Sequence, residues 1–324
     1  MPRGFKTSSL LVKTYRTKLN VTNGIFNVVV GQKVNGCGSM MPIGNRRMLG
    51  TDHASTMIRL SYQFVVEIFK KRSVIYELAK RRFQQQNRGS YLGFIWTFLQ
   101  PLLFILVLYF VFTFGIKAPR DMEVMPFHLY LVCGMVCWVY FSGNLVDMTD
   151  VIREHAYLVK NVSFKLSILP FIPLMSSLVP HIFLVGVAYI MALLAGITPS
   201  IYLVQLVYYW FAMAVLLLGL GWLTSSSSIF IRDVRNIMAV VVQFGFWMTP
   251  IFWSVSLVPE KYRWIVKLNP VNYLVEGYRD SIVLGVPFWH KPLDTAYFWT
   301  FCVILLFIGT SVYRKLRPDF AEVL

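Results

Sequence analysis

Charge is scarce in this chain: Asp, Glu, Lys and Arg make up 14% of its 324 residues, against 56% hydrophobic residues and a mean hydropathy of +0.59. Too little polar surface remains for a soluble globule of this length, which places the chain among integral membrane proteins. Cysteine is equally sparse. Of Cys37, Cys133, Cys137 and Cys302, three lie in apolar runs where a thiol behaves as a small hydrophobe, so no disulfide framework is implied. Cys133 and Cys137 share a helical face at i,i+4 but have no further ligand at metal spacing, and the five histidines are scattered, so the spacing favours packing over metal binding. No G-x-x-x-x-G-K-[ST] phosphate loop occurs, which excludes ATP binding by that route. The long apolar runs also lack Asp, Glu and Lys, the groups with which an ion-coupled transporter holds its ion. Both absences point to an energy source on a separate subunit.

What charge there is runs basic, with a net value of +16. The Lys and Arg cluster beside apolar runs rather than on one solvated face, which fits a membrane margin and not nucleic acid. Uncharged runs long enough for a bilayer core of about 20 residues extend from Phe94 to Ile116, Pro126 to Val146, Leu166 to Ile231, Ile237 to Pro259 and Thr295 to Tyr313. The third holds 66 residues without a formal charge, so it is two spans, with the turn at Gly196-Ile197-Thr198-Pro199-Ser200. The expected fold is therefore an all-α membrane protein with six transmembrane helices. With the N-terminus inside, the inner segments beyond residue 56 carry 16 Lys and Arg against 7 outside, which predicts that both termini are cytoplasmic.

Residues 57–93 read as a cytoplasmic, interfacial approach to the membrane. Val65, Ile68, Phe69, Ile75, Tyr76, Ala79 and Phe83 fall on one face of a helix, while Lys70, Lys71, Arg81 and Arg82 stay wet and Lys80 marks the boundary. Such a helix lies in the headgroup layer with its cations near anionic lipid. Residues 1–56 have no sustained period and eight basic residues, the composition of a disordered segment. They lack the order of a secretory signal. Met57 opens a 268-residue stretch that holds every other feature, which predicts that residues 1–56 are an extension from an upstream start. Residues 94–313 form the six-span domain and 314–324 a cytoplasmic tail.

After Met248-Thr249-Pro250, residues 254–294 are too polar to span and too apolar for a free loop, and Pro270 and Gly285 divide them into short pieces. Two re-entrant outer helices between spans five and six fit this pattern. Aromatic residues make up 16% of the chain. Their planes stack on the C–H faces of sugar rings, although interfacial Trp and Tyr are common in any membrane protein.

Two stretches carry a family likeness: Arg88-Gly89-Ser90-Tyr91-Leu92-Gly93-Phe94-Ile95-Trp96-Thr97-Phe98-Leu99-Gln100-Pro101, and the series Ile231-Arg232-Asp233-Val234-Arg235-Asn236, Met248-Thr249-Pro250-Ile251, Leu268-Asn269-Pro270 and Gly277-Tyr278-Arg279-Asp280. With the six-span count they resemble type-2 ABC exporter permeases of the polysaccharide branch, which moves O-antigen, capsule or teichoic acid. The resemblance implies a homodimeric, non-enzymatic transport subunit of the bacterial inner membrane. It has no cofactor of its own, and ATP and Mg bind a partner ABC ATPase. Its cargo would be a glycan linked to a polyprenyl lipid.

By the same resemblance Glu154, His155, Tyr157, Leu158, Arg232, Asp233 and Arg235 belong to the two inward connections that touch the ATPase. Lys80, Arg81, Arg82 and Arg88 are candidates for the carrier's pyrophosphate, with general lipid anchoring as the equal alternative. Trp96, Tyr109, Tyr140, Phe246, Trp247, Pro250, Asn269 and Pro270 are channel or gate candidates. A type-2 permease for a small lipid or drug is the rival reading. A membrane glycosyltransferase is a weaker one, because the inward carboxylates Asp147, Asp150, Glu154 and Asp233 form no D-x-D arrangement.

Overall fold

The computed structural model describes residues 18–22, 25–29, 71–86, 91–116, 121–122, 125–159, 164–198 and 200–324. The chain divides into two units, Met1–Ile58 and Arg59–Leu324. In the first, strand β1 (Lys18–Thr22) pairs antiparallel with β2 (Ile25–Val29), Asn20 opposite Asn27. These ten residues depart from the unstructured reading of 1–56; the rest of that segment, and Met57, lie outside the described residues.

The second unit is helical. Helix α1 (Arg72–Gln85) buries Ile75 and Ala79 and leaves Lys80 and Arg81 exposed, but Tyr76, expected on the apolar face, is 64% exposed, and Arg82, expected to stay wet, is drawn into ion pairs that cover most of its side chain. Its expected apolar positions at 65–69 lie outside the described residues. Gly93 then turns the chain at φ +45°, a left-handed conformation that a side chain would strain, and α2 (Trp96–Phe110) follows. A two-residue pairing of β3 (Asp121–Met122) with β4 (Met125–Pro126) leads into α3 (Phe127–Glu154). The four-residue helix α4 (Ala156–Val159), α5 (Phe171–Ser176) and α6 (Leu178–Leu194) come next. The long uncharged run divides where expected: α6 ends at Leu194, Gly196 adopts φ +80°, and the Ser200 hydroxyl accepts the Tyr202 N–H before α7 (Gln205–Phe230) begins. Beyond the elbow lie α8 (Val234–Met248), α9 (Arg263–Lys267), α10 (Pro270–Arg279), α11 (Pro292–Leu316) and α12 (Phe320–Val323).

Helix α3 is the hub. It packs against α2, α5, α6, α7, α8 and α10, and almost every residue from Leu129 to Cys137 is buried. Helix α7 lies between α3 and α11, and a Cβ at Gly309 would overlap the Gly219 carbonyl, so α7 and α11 cross backbone against backbone. By contrast α2 turns Leu106, Val107 and Phe110 outward, as a helix facing lipid does.

Five helical stretches among the described residues are long and apolar enough to cross a membrane: Gly93–Gly115, Phe127–Glu154, Leu166–Leu194, Ile201–Phe230 and Pro292–Val323. The sixth expected span is shorter than its apolar run. Helix α8 has 15 residues, or about 22 Å at 1.5 Å per residue, against a hydrocarbon core of about 30 Å. It stops because Pro250, two residues after Met248, has no N–H to continue the ladder. The two short helices expected after it are α9 and α10. Helix α10 sits in the bundle, packed on α3, α7 and α11, whereas α9 packs on α10 and leaves Trp264 and Ile265 exposed.

Candidate functional site

At the end of the bundle expected to face the cytoplasm, α3 presents Asp147, Asp150 and Glu154 at successive turns. Two arginines from separate elements meet this acidic face. Arg82 of α1 pairs with Asp147 at 3.1 Å and with Glu154, and Arg235 of α8 pairs with Asp150 at 2.5 Å. Burial alone would lower the Arg82 pKa, but the charges of Asp147 and Glu154 outweigh it and the net direction is upward. A third arginine, Arg153, donates to the Ser228 carbonyl in the last turn of α7, where a cation offsets the helix dipole. Beneath these contacts Ala79, Val151, Ile152, Leu166, Leu169 and Ile172 form a second apolar cluster.

The inward connections place their candidate residues unequally. His155 Nδ1 lies 2.9 Å from the Val151 carbonyl and Leu158 packs on the second cluster, while Tyr157 is 64% exposed. Arg232 and Asp233 are exposed at the elbow. Glu154 and Arg235 are committed to ion pairs that tie α1 and α8 to α3. Of the pyrophosphate candidates, Lys80 and Arg81 are free to meet an anion, Arg82 is engaged by two carboxylates, and Arg88 lies outside the described residues.

The channel and gate candidates separate into three sets. Phe246, Trp247, Pro250, Asn269 and Pro270 converge on the break after α8. Phe246 meets Phe252 at 5.4 Å between ring centres and Trp138 at 5.9 Å. Asn269 caps α10, accepting the Val271 N–H at 3.0 Å and donating to Thr249 Oγ1 at 2.8 Å, while Pro270 takes the first helical position, where its missing N–H costs least. Trp96 and Tyr109 lie apart on α2. Tyr140 is a core residue: it is buried, donates to the Leu174 carbonyl at 2.9 Å, accepts Trp210 Nε1 at 3.0 Å and packs on His181.

A groove of about 560 Å³ opens between α8 and α9, lined mostly by apolar side chains, among them Val240, Val241, Phe244, Met248 and Ile265, with Trp253 and Asn269 also on its wall. Its surface suits apolar contact rather than sugar hydroxyls. Among the described residues no three His, Cys, Asp or Glu side chains group to hold a metal ion.

Sequence reasoning passed over several buried polar contacts. Arg279 is 1% exposed and binds Glu276 at 2.6 Å and three backbone carbonyls. Asp280, also buried, pairs with Lys291 at 2.5 Å. His181 meets the Tyr278 hydroxyl at 2.8 Å. The available signal was Glu276 and Arg279 at i,i+3 in an otherwise apolar helix, a spacing that keeps opposite charges adjacent.

A model of the ABC-2 type transporter family matches residues 73–283. The chain is 25% identical over 243 residues to an O-antigen export system permease protein RfbA of Klebsiella pneumoniae, covering 73% of this chain and 89% of that one. The RfbA of Myxococcus xanthus is 24% identical over 280 residues, 82% of this chain and 99% of its own. The polysialic acid transport protein KpsM of Escherichia coli is 21% identical over 228 residues, 69% and 85% of the two chains.

Proposed function

The chain belongs to the ABC-2 type transporter family, and from that premise we propose that it is the permease subunit of an ATP-driven polysaccharide exporter. Two copies form the membrane pathway, and each docks a separate ABC ATPase through Tyr157 and the elbow 232–236. The cargo is a glycan polymer carried on a polyprenyl lipid. The membrane is the bacterial cytoplasmic membrane, with both termini inside, in keeping with the bias of 16 Lys and Arg against 7.

The observation that carries this reading is the likeness to O-antigen and polysialic acid permeases across most of both chains. Physical features agree with it. The sequence has no phosphate loop, which is in keeping with hydrolysis on a partner. The acidic face of α3 gathers α1 and the start of α8 beside the exposed Tyr157, so a push at the elbow reaches three elements. Lys80 and Arg81 remain open to an anionic headgroup.

The test is deletion of the gene in its source cell, followed by complementation. Surface polysaccharide is lost while lipid-linked polymer accumulates inside, and the chain restores export only together with its ATPase. Normal surface polysaccharide after deletion, or restored export with no ATPase present, defeats the assignment.

A further inference from the structure

Helix α8 is fastened to α3 by an arginine at each end, and the two fastenings differ in kind. At its start, Arg235 reaches the buried Asp150 through a side chain that is 60% exposed, so water and salt can reach the cation of this pair. At its finish the backbone leaves the helix at Thr249-Pro250, and the carbonyls just beyond it are held by Arg279, whose Nη2 donates to the Pro250 and Ile251 carbonyls at 2.7 and 3.0 Å.

The same guanidinium holds α3. Its Nε and Nη2 each lie 3.3 Å from the Tyr130 carbonyl, and its plane covers the Tyr130 ring at 3.4 Å from the centre. The Tyr130 hydroxyl in turn donates to the Trp253 carbonyl at 3.0 Å. Gly134 completes the fit, because a Cβ there would stand 3.1 Å from Arg279 Nη2 and 3.2 Å from Ile251. A buried cation is costly in an apolar bundle, and here Glu276, one turn back on α10, neutralises it. Asp150 and Tyr130 are 20 residues apart on α3, about 30 Å of helix. The fastenings therefore stand at opposite ends of α8, about 22 Å apart along it.

We propose that Arg279 is a positioning residue that makes α8, the 249–253 break and the α9–α10 hairpin one mechanical body, pivoting on α3 at Tyr130. Displacement of the elbow 232–236 then opens the Arg235–Asp150 pair and reaches the hairpin as rotation, because the break cannot bend while its carbonyls are held. This deepens the exporter reading, on which it rests for the source of the force.

The test uses the full chain assembled with its ATPase in lipid nanodiscs, with backbone hydrogen exchange, ATP hydrolysis and cellular export measured together. Arg279→Lys keeps the charge and loses the fork that reaches several carbonyls at once. The expected result is at least tenfold faster exchange over 249–262 with α7 and α11 unchanged, ATP hydrolysis within twofold of wild type and export lowered at least tenfold. Arg235→Gln is expected to speed exchange only near 232–238. Wild-type exchange over 249–262 in Arg279→Lys overturns the proposal. So does a general rise across α7 and α11 with hydrolysis and export falling in equal proportion, the mark of a merely structural role. Should Arg279→Lys not accumulate, Glu276→Gln unpairs the buried charge and is scored by the same pattern. The exchange result does not depend on cargo: a wild-type complex that shows the protected break yet moves no polysaccharide defeats the functional assignment and leaves the pivot standing.

Discussion

Arg82 of α1 donates to Glu154 in the last turn of α3, across 72 residues of sequence. The same guanidinium holds Asp147 two turns earlier, so the amphipathic helix is locked to the hub of the bundle by one side chain. A residue so engaged is a poor receptor for a lipid phosphate, which would have to displace two carboxylates.

Arg82→Gln should therefore act on stability before it acts on lipid. Asp147 and Glu154 are each more than a third exposed, so the loss is expected at about 1–2 kcal/mol, between exposed and buried pairs. Lys80→Gln with Arg81→Gln should leave the unfolding temperature almost unchanged and weaken binding to anionic vesicles. Thermal scans and vesicle flotation separate the two; a stable Arg82→Gln chain that lost anionic lipid would return that residue to the headgroup.

Gly309→Val tests the close crossing of α7 and α11. The added Cβ overlaps the Gly219 carbonyl, which is backbone and cannot rotate away. The helices must part, at a cost of about 1–3 kcal/mol or more. Gly143→Ala, where nothing lies within 4 Å of the new Cβ, is the matched control and should accumulate normally. Equal membrane yields and unfolding temperatures for the two variants would remove the crossing as a determinant of the fold.

Much of this architecture was legible because it is local. The apolar runs mark five spans, Gly196 and Gly93 sit at left-handed turns as punctuation, and Pro270, which divides 254–294 in the sequence, opens α10 in the fold. The short sixth helix was harder, since the apolar run continues to Pro259 and only Thr249-Pro250 shows where the backbone leaves the ladder. Tyr140 read as a channel aromatic because aromatic content alone cannot say which way a ring faces, and its hydroxyl proved to be committed inside the core. Arg279 escaped because its acceptors, the carbonyls of Tyr130, Pro250 and Ile251, carry no side-chain signature and stand 28 to 149 residues away.

Asn269→Ala removes both the cap of α10 and the bond to Thr249. The cap alone is worth about 1 kcal/mol. Asn269→Asp keeps the acceptor for the Val271 N–H and gives up only the donor to Thr249, so its loss should be the smaller. Unfolding temperatures in that order, wild type above Asp above Ala, are expected; equal values for Asp and wild type would mean that the Thr249 bond contributes nothing.

Tyr157→Arg addresses the docking surface. With 64% of Tyr157 exposed, little packing is lost on substitution, and the variant should reach the membrane at wild-type levels. If Tyr157 enters a groove on the ATPase, a charge there must be desolvated without a partner, and co-purification of the ATPase should fall at least tenfold with export falling alongside. Leu158→Ser distinguishes this from simple damage, because Leu158 packs on the second apolar cluster and its loss should lower stability before it lowers docking. A Tyr157→Arg chain that retained its ATPase and exported normally would move the contact to the elbow, where Arg232 and Asp233 stand exposed.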